Sequence, residues 1–192
     1  MTENGEKSLE DKLTQWSQQL QAIAQNGLTF SEDSYDIERY HRIQHIAAAM
    51  LSETRTMTGE EALERFQSEE GYATPKVDVR AAAFRGDKIL LVREVSDGKW
   101  TLPGGWADVG DSPAEAAKRE TIEESGFEVT ITKVAMVYDR LKHPHTPSSY
   151  HIYKLFFLAD ITGGEAKTSD ETDAVSFFAP DALPDLSTGR VT

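Results

Sequence analysis

The spacing of apolar residues changes near residue 71, and no other feature of the sequence constrains the fold as strongly. Residues 1–70 contain no proline, and their apolar residues recur every three or four positions, as on one face of a helix. From residue 76 onward, apolar residues alternate with polar ones or form short runs, which is typical of strands. The sequence therefore predicts a small all-helical domain at 1–70 and a mixed α+β domain at 71–192.

The helical part predicts three helices. The first is expected to end at Asn26 or Gly27, the second to run from about Tyr35 to Leu51, and the third to lie within residues 59–70. One face of the first helix is a continuous apolar stripe with residue steps of 4, 3, 4 and 3. This first-helix stripe consists of Leu9, Leu13, Trp16, Leu20 and Ile23.

The first-helix stripe needs a packing partner, because two or three short helices of about 70 residues form only a marginal core. One candidate partner is the rest of the chain, and the other is a second copy related by two-fold symmetry. Spacing close to a heptad suits helix–helix packing better than packing on a sheet. The sequence therefore favours a homodimer formed through this domain.

Composition excludes several classes of function. With no cysteine among 192 residues, the chain has no disulfide, thiolate metal site or cysteine nucleophile. Its formal charge of -13 disfavours a stable nucleic-acid partner, and no apolar run approaches the length of a membrane span. Because the polar, acidic N-terminal residues do not resemble a signal peptide, we expect a cytoplasmic protein.

The second part predicts strands around one central helix. Strands are expected at 76–84, 88–94, 128–140, 150–161 and 174–180, with a turn at Gly86 and Asp87. A Gly/Pro-rich loop, DGKWTLPGGW, precedes the helix and holds a short strand. The helix is expected to begin after Ser112 as N-cap, with Pro113 in its first position, and to stop at Gly126.

Three glutamates share one face of the central helix, because Glu120, Glu123 and Glu124 are related as i, i+3 and i+4. Like charges at this spacing repel by about a few tenths of a kcal/mol per pair even when exposed. The cluster is therefore either a solvated helix face or a set of oxygen ligands for a divalent cation. The preceding Gly-Gly loop favours the cation, since glycines let the backbone approach a diphosphate and offer carbonyl ligands.

These residues resemble the Nudix box. The match comprises Gly105, Arg119, Glu120, Glu123, Glu124, Gly126 and Phe127 at the spacing of that signature. Two positions depart from it: Asp111 replaces an isolated glutamate and Thr121 replaces an apolar residue, so the role of Asp111 is in question. The helical part is similar to the N-terminal domain of a Nudix subgroup described as ADP-ribose or CDP-choline pyrophosphatases.

The resemblance implies the Nudix fold, a mixed β-sheet sandwiched between helices, and hydrolysis of a nucleoside diphosphate linked to another moiety, X. The products would be a nucleoside monophosphate and phospho-X. Mg²⁺ or Mn²⁺ would be held by Glu120 and Glu124, with Glu123 sharing and the carbonyl of Gly105 as a further ligand. The general base would be a glutamate of the box, Glu120 or Glu123, or Glu171 from a later loop, which fits an ordinary polar turn equally well.

Substrate recognition is expected outside the box. The polar loop at 139–151 holds Arg140, Lys142 and His143, which suit a phosphate or X, although a surface position is favoured for the histidines. Trp106, beside the glycines, is a candidate for stacking on a base. The helical domain is a candidate for the rim of the active site. Two other classes of function are a non-catalytic ligand-binding sensor and a hydrolase of nucleoside triphosphates or RNA ends.

Overall fold

The computed structural model describes residues 8–143 and 145–190, which form two compact units. The helical unit extends to Pro75 and also includes Pro147–His151, and the sheet unit comprises Lys76–Thr146 and the residues from Ile152 onward. The outer ends of the two predicted domains, residues 1–7 and 191–192, lie outside the described residues. No helix in the described part of the chain is long and apolar enough to cross a membrane.

The helical unit consists of α1 (Leu9–Phe30), α2 (Ser34–Ser52) and α3 (Gly59–Gln67). Each helix begins at a side chain that accepts a hydrogen bond from the first turn. Ser8 and Thr58 form capping boxes at α1 and α3, and Asp33 accepts from two backbone N–H groups at α2. Three helices were predicted here, and the structure confirms them.

The predicted end of α1 at Asn26 or Gly27 is wrong, since the helix continues to Phe30 and its C-cap is Ser31. A Cβ added at Gly27 would lie 2.3 Å from ring atoms of Tyr40 in α2. Gly27 is therefore needed for the close approach of the two helices, and it is tolerated inside α1 despite its low helix propensity.

The buried face of α1 is mostly polar. The apolar core of the helical unit comes mainly from α2 and α3, through Ala47, Ala48, Leu51, Ala62 and Phe66. The buried positions of α1 include Ser17, Gln18, Gln21 and Gln25. These side chains donate to backbone carbonyls, as in the bond from Ser17 Oγ to Ala47 O at 2.7 Å. Gln18 Nε2 donates to the carbonyls of Ser148 and Tyr150, which explains why segment 147–151 groups with the helices.

The apolar side of α1 faces outward. Leu9, Trp16 and Ile23 of the first-helix stripe are 67%, 47% and 55% exposed, while Leu20 packs against the edge of the core. Periodicity predicted the stripe, but the face that the helical unit buries is the opposite, amide-rich one.

The described residues of the sheet unit form six strands in a mixed sheet. They are β1 (Lys76–Arg85), β2 (Lys88–Glu94), β3 (Trp100–Thr101), β4 (Phe127–Asp139), β5 (Ile152–Gly164) and β6 (Thr172–Phe178). The order is β3-β2-β1-β5-β4, and β6 pairs with β2. β1 and β5 are parallel while the other pairs are antiparallel. The predicted fold class, a helical N-terminal domain before a mixed α+β domain, is confirmed.

The central helix, α4 (Pro113–Ser125), packs on the sheet through Ala116 and Ala117. These alanines contact the cluster that contains Val79 of β1 and Phe157 of β5. Ser112 accepts from the N–H of Glu115 in a capping box, and Gly126 ends the helix with φ 75. Both predicted boundaries of α4 are confirmed.

Candidate active site

The Gly104–Gly105 loop is held against β1 by backbone hydrogen bonds. The N–H of Val79 donates to the carbonyl of Gly105 at 2.8 Å, and the N–H of Ala81 donates to that of Pro103 at 3.0 Å. Gly104 has φ 143, and a Cβ there would lie 2.0 Å from the carbonyl oxygen of Val79. Only glycine fits this position, because any side chain would push the loop away from the strand.

Glu124 and Glu120 of α4 meet this loop from the other side. Glu124 is buried and accepts a 2.9 Å hydrogen bond from the N–H of Gly104. Burial raises the pKa of Glu124 to about 7, against the opposing effect of that hydrogen bond. Glu120 lies so close to Gly105 that an added Cβ would be 2.9 Å from its Oε2, and burial raises its pKa as well.

Arg119 is surrounded by carboxylates. Its guanidinium lies 3.2 Å from Asp108, 3.2 Å from Asp111, 2.7 Å from Glu120 and 3.3 Å from Glu123. Burial lowers the pKa of Arg119, but its hydrogen bonds to Asp111 and Glu120 outweigh that effect and raise it above the ordinary value. Asp111, the residue that departs from the box, thus helps to hold the arginine that orients Glu120. Glu123 has a 58% exposed side chain.

The donor set around the loop suits a hard divalent cation. Among the residues that the structure describes, no three acidic or histidine side chains already stand close enough to enclose a metal ion. Glu120 and Glu124 nevertheless place carboxylates against the two glycines, and the carbonyl of Gly105 keeps a lone pair beyond its bond from Val79. Burial disfavours the charged carboxylates, and a cation with oxygen ligands would offset that cost.

Glu171, the other predicted base, lies in an exposed turn before β6. Its N–H donates to the Oγ of Ser169, and its carbonyl accepts from the N–H of Val95 at 2.9 Å. The adjacent Thr172 donates its hydroxyl to the carbonyl of Glu124 at 2.7 Å. The turn is therefore tied to the C-terminal end of α4, and the charge of Glu171 is one of the weaker causes that raise the pKa of Glu94 after burial.

The predicted substrate-binding residues have different environments. Trp106 is 48% exposed and forms an isolated bridge with Asp78. Arg140 is buried and donates to the carbonyl of Thr146 at 2.6 Å. Lys142 and His143 are exposed, and the ring of His143 stacks on Tyr138 with centroids 3.8 Å apart. A surface position for the histidines was favoured, and His143 fits that expectation.

The strands next to the glycine loop carry a buried ionic group, and sequence reasoning considered only its Arg80, not Asp78 or Lys154. Asp78 of β1 lies opposite Lys154 of β5, and both are buried. Arg80 forms a two-pronged pair with Asp78, with Nε–Oδ1 at 3.0 Å and Nη2–Oδ2 at 2.9 Å. A charged residue inside an otherwise apolar strand was the available signal, since such residues are buried only when paired. Arg93, by contrast, pairs at the surface with Asp173.

Two family models match this chain. A NUDIX domain matches residues 74–191, and a UDP-X-like, N-terminal oligomerisation domain matches residues 11–66. The chain belongs to the Nudix family. It is a Nudix pyrophosphohydrolase, as the resemblance implied, and the model that matches its helical part describes an oligomerisation domain.

Two of the relatives of this Nudix hydrolase span nearly its whole length. YjhB of Bacillus subtilis (strain 168), whose name provisionally assigns it to the ADP-ribose pyrophosphatases, is 44% identical over 93% of this chain and 88% of its own. A crystal structure described as a UDP-X diphosphatase is 34% identical, with a TM-score of 0.59 over 95% of this chain and 89% of that one. An ADP-ribose pyrophosphatase from Streptococcus suis is 43% identical, with a TM-score of 0.57 over 62% and 84%.

Proposed function

We propose that this Nudix hydrolase cleaves the pyrophosphate bond of a nucleoside diphosphate linked to X, with ADP-ribose as its preferred substrate and CDP-choline as the alternative. The similarity to YjhB carries this proposal, because it extends over 93% of the chain and so includes the helical part as well as the box. The ADP-ribose pyrophosphatase of Methanocaldococcus jannaschii, 32% identical over 60% of this chain, adds support on the catalytic side.

Mg²⁺ or Mn²⁺ would neutralise the pyrophosphate and lower the pKa of a bound water when it is present. Glu120 and Glu124 would hold the ion, with Glu123 sharing and the carbonyl of Gly105 adding a neutral ligand. The N–H of Gly104 fixes the carboxylate of Glu124, and Arg119 orients that of Glu120. These contacts place charged oxygens at the loop where the diphosphate would lie.

The attacking water must lose a proton as its oxygen bonds to phosphorus. We assign this proton to a carboxylate, either Glu123 or Glu120 of α4, or Glu171 in the turn tied to the end of that helix. Among Glu120, Glu123 and Glu124, Glu123 is the most exposed, so it is accessible to a water without breaking a loop contact. Cleavage of the bridging P–O bond then releases the nucleoside monophosphate and phospho-X.

Recognition of the two ends of the substrate would use different surfaces. The half-exposed ring of Trp106 suits stacking on the base. Arg140, Lys142 and His143 follow the end of β4 and suit the phosphate or the X group. The buried position of Arg140 makes it the strongest of these three as a phosphate ligand, since a charge in a less polar environment interacts more strongly.

We further propose that the helical unit makes the enzyme a homodimer. The exposed side chains of the first-helix stripe, Leu9, Trp16 and Ile23, lie on one side of α1 over four turns. A single apolar face of this kind is expected to pair with its copy across a two-fold axis. Such a dimer would also bring helices to the rim of the active site, where they would help to select X.

A substrate panel tests the reaction. The purified chain is incubated with ADP-ribose, CDP-choline, nucleoside triphosphates and 5′-triphosphorylated RNA, each with Mg²⁺, with Mn²⁺ and with a chelator, and the products are separated. ADP-ribose is expected to have the highest kcat/KM, with a metal required. A triphosphate as best substrate would overturn the substrate class. Binding of ADP-ribose without turnover under every metal condition would instead identify a ligand-binding sensor.

A further inference from the structure

A buried group of cations lies beside the glycine loop, on β1, on β5 and in the segment that follows β4, and we call it the Lys154 cluster. It comprises Arg80, Arg140, Lys154, Asp78 and His145. Arg80, Arg140 and Lys154 are 4%, 9% and 2% exposed. Asp78 is the carboxylate that these three cations share, because its charge acts on each of them. This concentration of buried positive charge is unusual in a chain whose formal charge is -13.

The charge of Asp78 is largely committed to Arg80. The carboxylate accepts both hydrogen bonds of the two-pronged pair, whereas Lys154 Nζ lies 3.7 Å from Asp78 Oδ1. Glu124 and Glu94 add further negative charge near Arg80. Arg80 is therefore well compensated, and the remaining positive charge of the cluster belongs to Lys154 and Arg140.

Within the described residues, the short hydrogen bonds of Lys154 and Arg140 go to backbone carbonyls. Lys154 Nζ donates to the carbonyl of Arg190 at 2.6 Å, and Arg140 donates to that of Thr146 at 2.6 Å. Burial lowers the pKa of Lys154 to about 8, with the charges of Arg80 and Arg140 contributing to this shift and Asp78 opposing it. Burying a charge without a matched counter-ion is costly, and an anionic ligand is one way to recover that cost.

His145 adds a polar atom that has no partner within the described residues. Its Nδ1 lies 2.8 Å from the carbonyl of Thr188, so Nδ1 carries a proton and donates it. Its buried Nε2 has no hydrogen-bond partner there. Burial lowers the pKa of His145, and nearby cations reinforce that shift, so the ring is neutral and Nε2 offers a lone pair. Such an atom is ready to accept a hydrogen bond from a hydroxyl group.

The cluster adjoins the loop that the proposed reaction uses. Asp78 forms a bridge with Trp106, and the next residue of β1, Val79, bonds to Gly105. The negative charge of Glu124 contributes to the raised pKa of Arg80. A diphosphate on the Gly104–Gly105 loop can therefore have one phosphoryl group near the α4 carboxylates and the other toward the strands.

We propose that Lys154 and Arg140 bind the phosphoryl group that leaves as phospho-X, and that His145 Nε2 accepts a hydroxyl of X. This inference rests on the proposed function and narrows its substrate class. A cation-rich subsite with a hydroxyl acceptor selects a neutral or anionic polyhydroxylated X, such as a sugar. It rejects X groups with a quaternary ammonium, because Lys154 and Arg140 repel that charge.

Direct binding of the released half of the substrate tests the subsite. Ribose 5-phosphate, phosphocholine, inorganic phosphate and AMP are titrated by calorimetry into the full chain in chelator, so that neither metal nor turnover contributes. Ribose 5-phosphate is expected to bind at least ten-fold more tightly than phosphocholine. Equal affinities for these two ligands would overturn the assignment of X.

Single-residue variants of the cluster test which side chains contribute to binding of each ligand. Lys154→Met is expected to weaken ribose 5-phosphate binding at least ten-fold with little effect on AMP, and Lys154→Arg is expected to restore most of it. Lys99→Met is the matched control, because Lys99 is partly exposed and pairs with Asp185 at the surface. His145→Phe is expected to weaken ribose 5-phosphate binding but not inorganic phosphate binding.

Two outcomes would contradict the subsite. One is a folded Lys154→Met protein, judged by circular dichroism, that binds ribose 5-phosphate like the wild type. If that variant does not fold, Arg140→Met takes its place under the same criterion. The other is an equal loss of AMP and ribose 5-phosphate affinity in every cluster variant. Failure of the substrate panel with intact ribose 5-phosphate binding would count against the proposed hydrolysis alone.

Discussion

The helical unit and the sheet unit depart in opposite ways from the usual arrangement of apolar residues inside and charged residues outside. The helical unit exposes Trp16 and Ile23 and buries uncharged amides such as Gln21. The sheet unit buries charged residues, among them Glu124 and Lys154. A neutral amide is readily satisfied by a backbone carbonyl, whereas a buried charge needs a counter-charge.

This difference indicates what each unit binds. An exposed apolar stripe is stabilised by removing it from water, which is non-directional and suits a protein surface. Buried charges are stabilised by specific, oppositely charged groups at short range, which suits a metal ion and an anionic ligand. The helical unit is thus expected to direct assembly, and the sheet unit to direct chemistry.

The largest expected effect comes from neutralising the carboxylates of the sheet unit that lie against the glycine loop. Glu120→Gln and Glu124→Gln, made separately, are each expected to lower kcat by about 100-fold or more, because metal-ion stabilisation supplies several kcal/mol of barrier reduction. Steady-state kinetics with ADP-ribose and Mg²⁺ measures this loss. Glu165→Gln, at an exposed position, is the control. Near wild-type kcat values in both variants would contradict the assignment of Glu120 and Glu124 as metal ligands.

The second prediction tests assembly through the helical unit. Trp16→Glu is expected to convert the dimer to a monomer at micromolar concentration, because it places a charge in the centre of the exposed stripe. Light scattering measures the mass, and Gln19→Glu adds the same charge at another exposed position of α1 as a control. A wild-type chain that is already monomeric would contradict the dimer, and a Trp16→Glu dimer would place the interface elsewhere.

Gly104→Ala tests the junction between the loop and β1. The added Cβ would lie 2.0 Å from the carbonyl of Val79, so we expect a loss of at least about 2–3 kcal/mol in the free energy of unfolding. Gly86→Ala is the control: Gly86 also has a positive φ, but a Cβ there meets nothing within 4 Å. Its cost is expected to be only about 1 kcal/mol. Urea unfolding measures the stability of both variants. Equal losses of unfolding free energy would mean that backbone strain, rather than the clash with Val79, explains the need for glycine at position 104.

The last expected effect is a gain in stability that depends on pH and is small under acidic conditions. The pKa of Glu124 is raised to about 7, so its charged form destabilises the fold increasingly as the pH rises from about 4.5 to 7. Glu124→Gln in chelator is therefore expected to raise the free energy of unfolding by up to about 3 kcal/mol at pH 8, and by less than about 1 kcal/mol at pH 5. Thermal melts at the two pH values measure the difference. A gain that does not depend on pH would show that charge burial is not its cause.

The sequence by itself determined most of the secondary-structure elements and the Nudix box. The capping residues of α4, the alternation of its flanking strands and the spacing of Glu120, Glu123 and Glu124 are local patterns, and local patterns depend on neighbours only a few positions apart. For the same reason the first-helix stripe was predictable as a stripe. The continuation of α1 through Gly27 was not predictable, because a glycine that ends a helix and a glycine that allows close approach of Tyr40 look identical in the sequence.

Tertiary structure alone decided which charges are buried together. Asp78 and Lys154 are 76 residues apart, and they meet only because β1 and β5 pair in a parallel register that periodicity does not specify. The environment of Arg119 likewise required the fold, since Asp108 and Asp111 reach it from the loop before α4. The cost of burying a charge depends on which counter-charges the fold brings within a few ångströms, and a sequence position does not contain that distance.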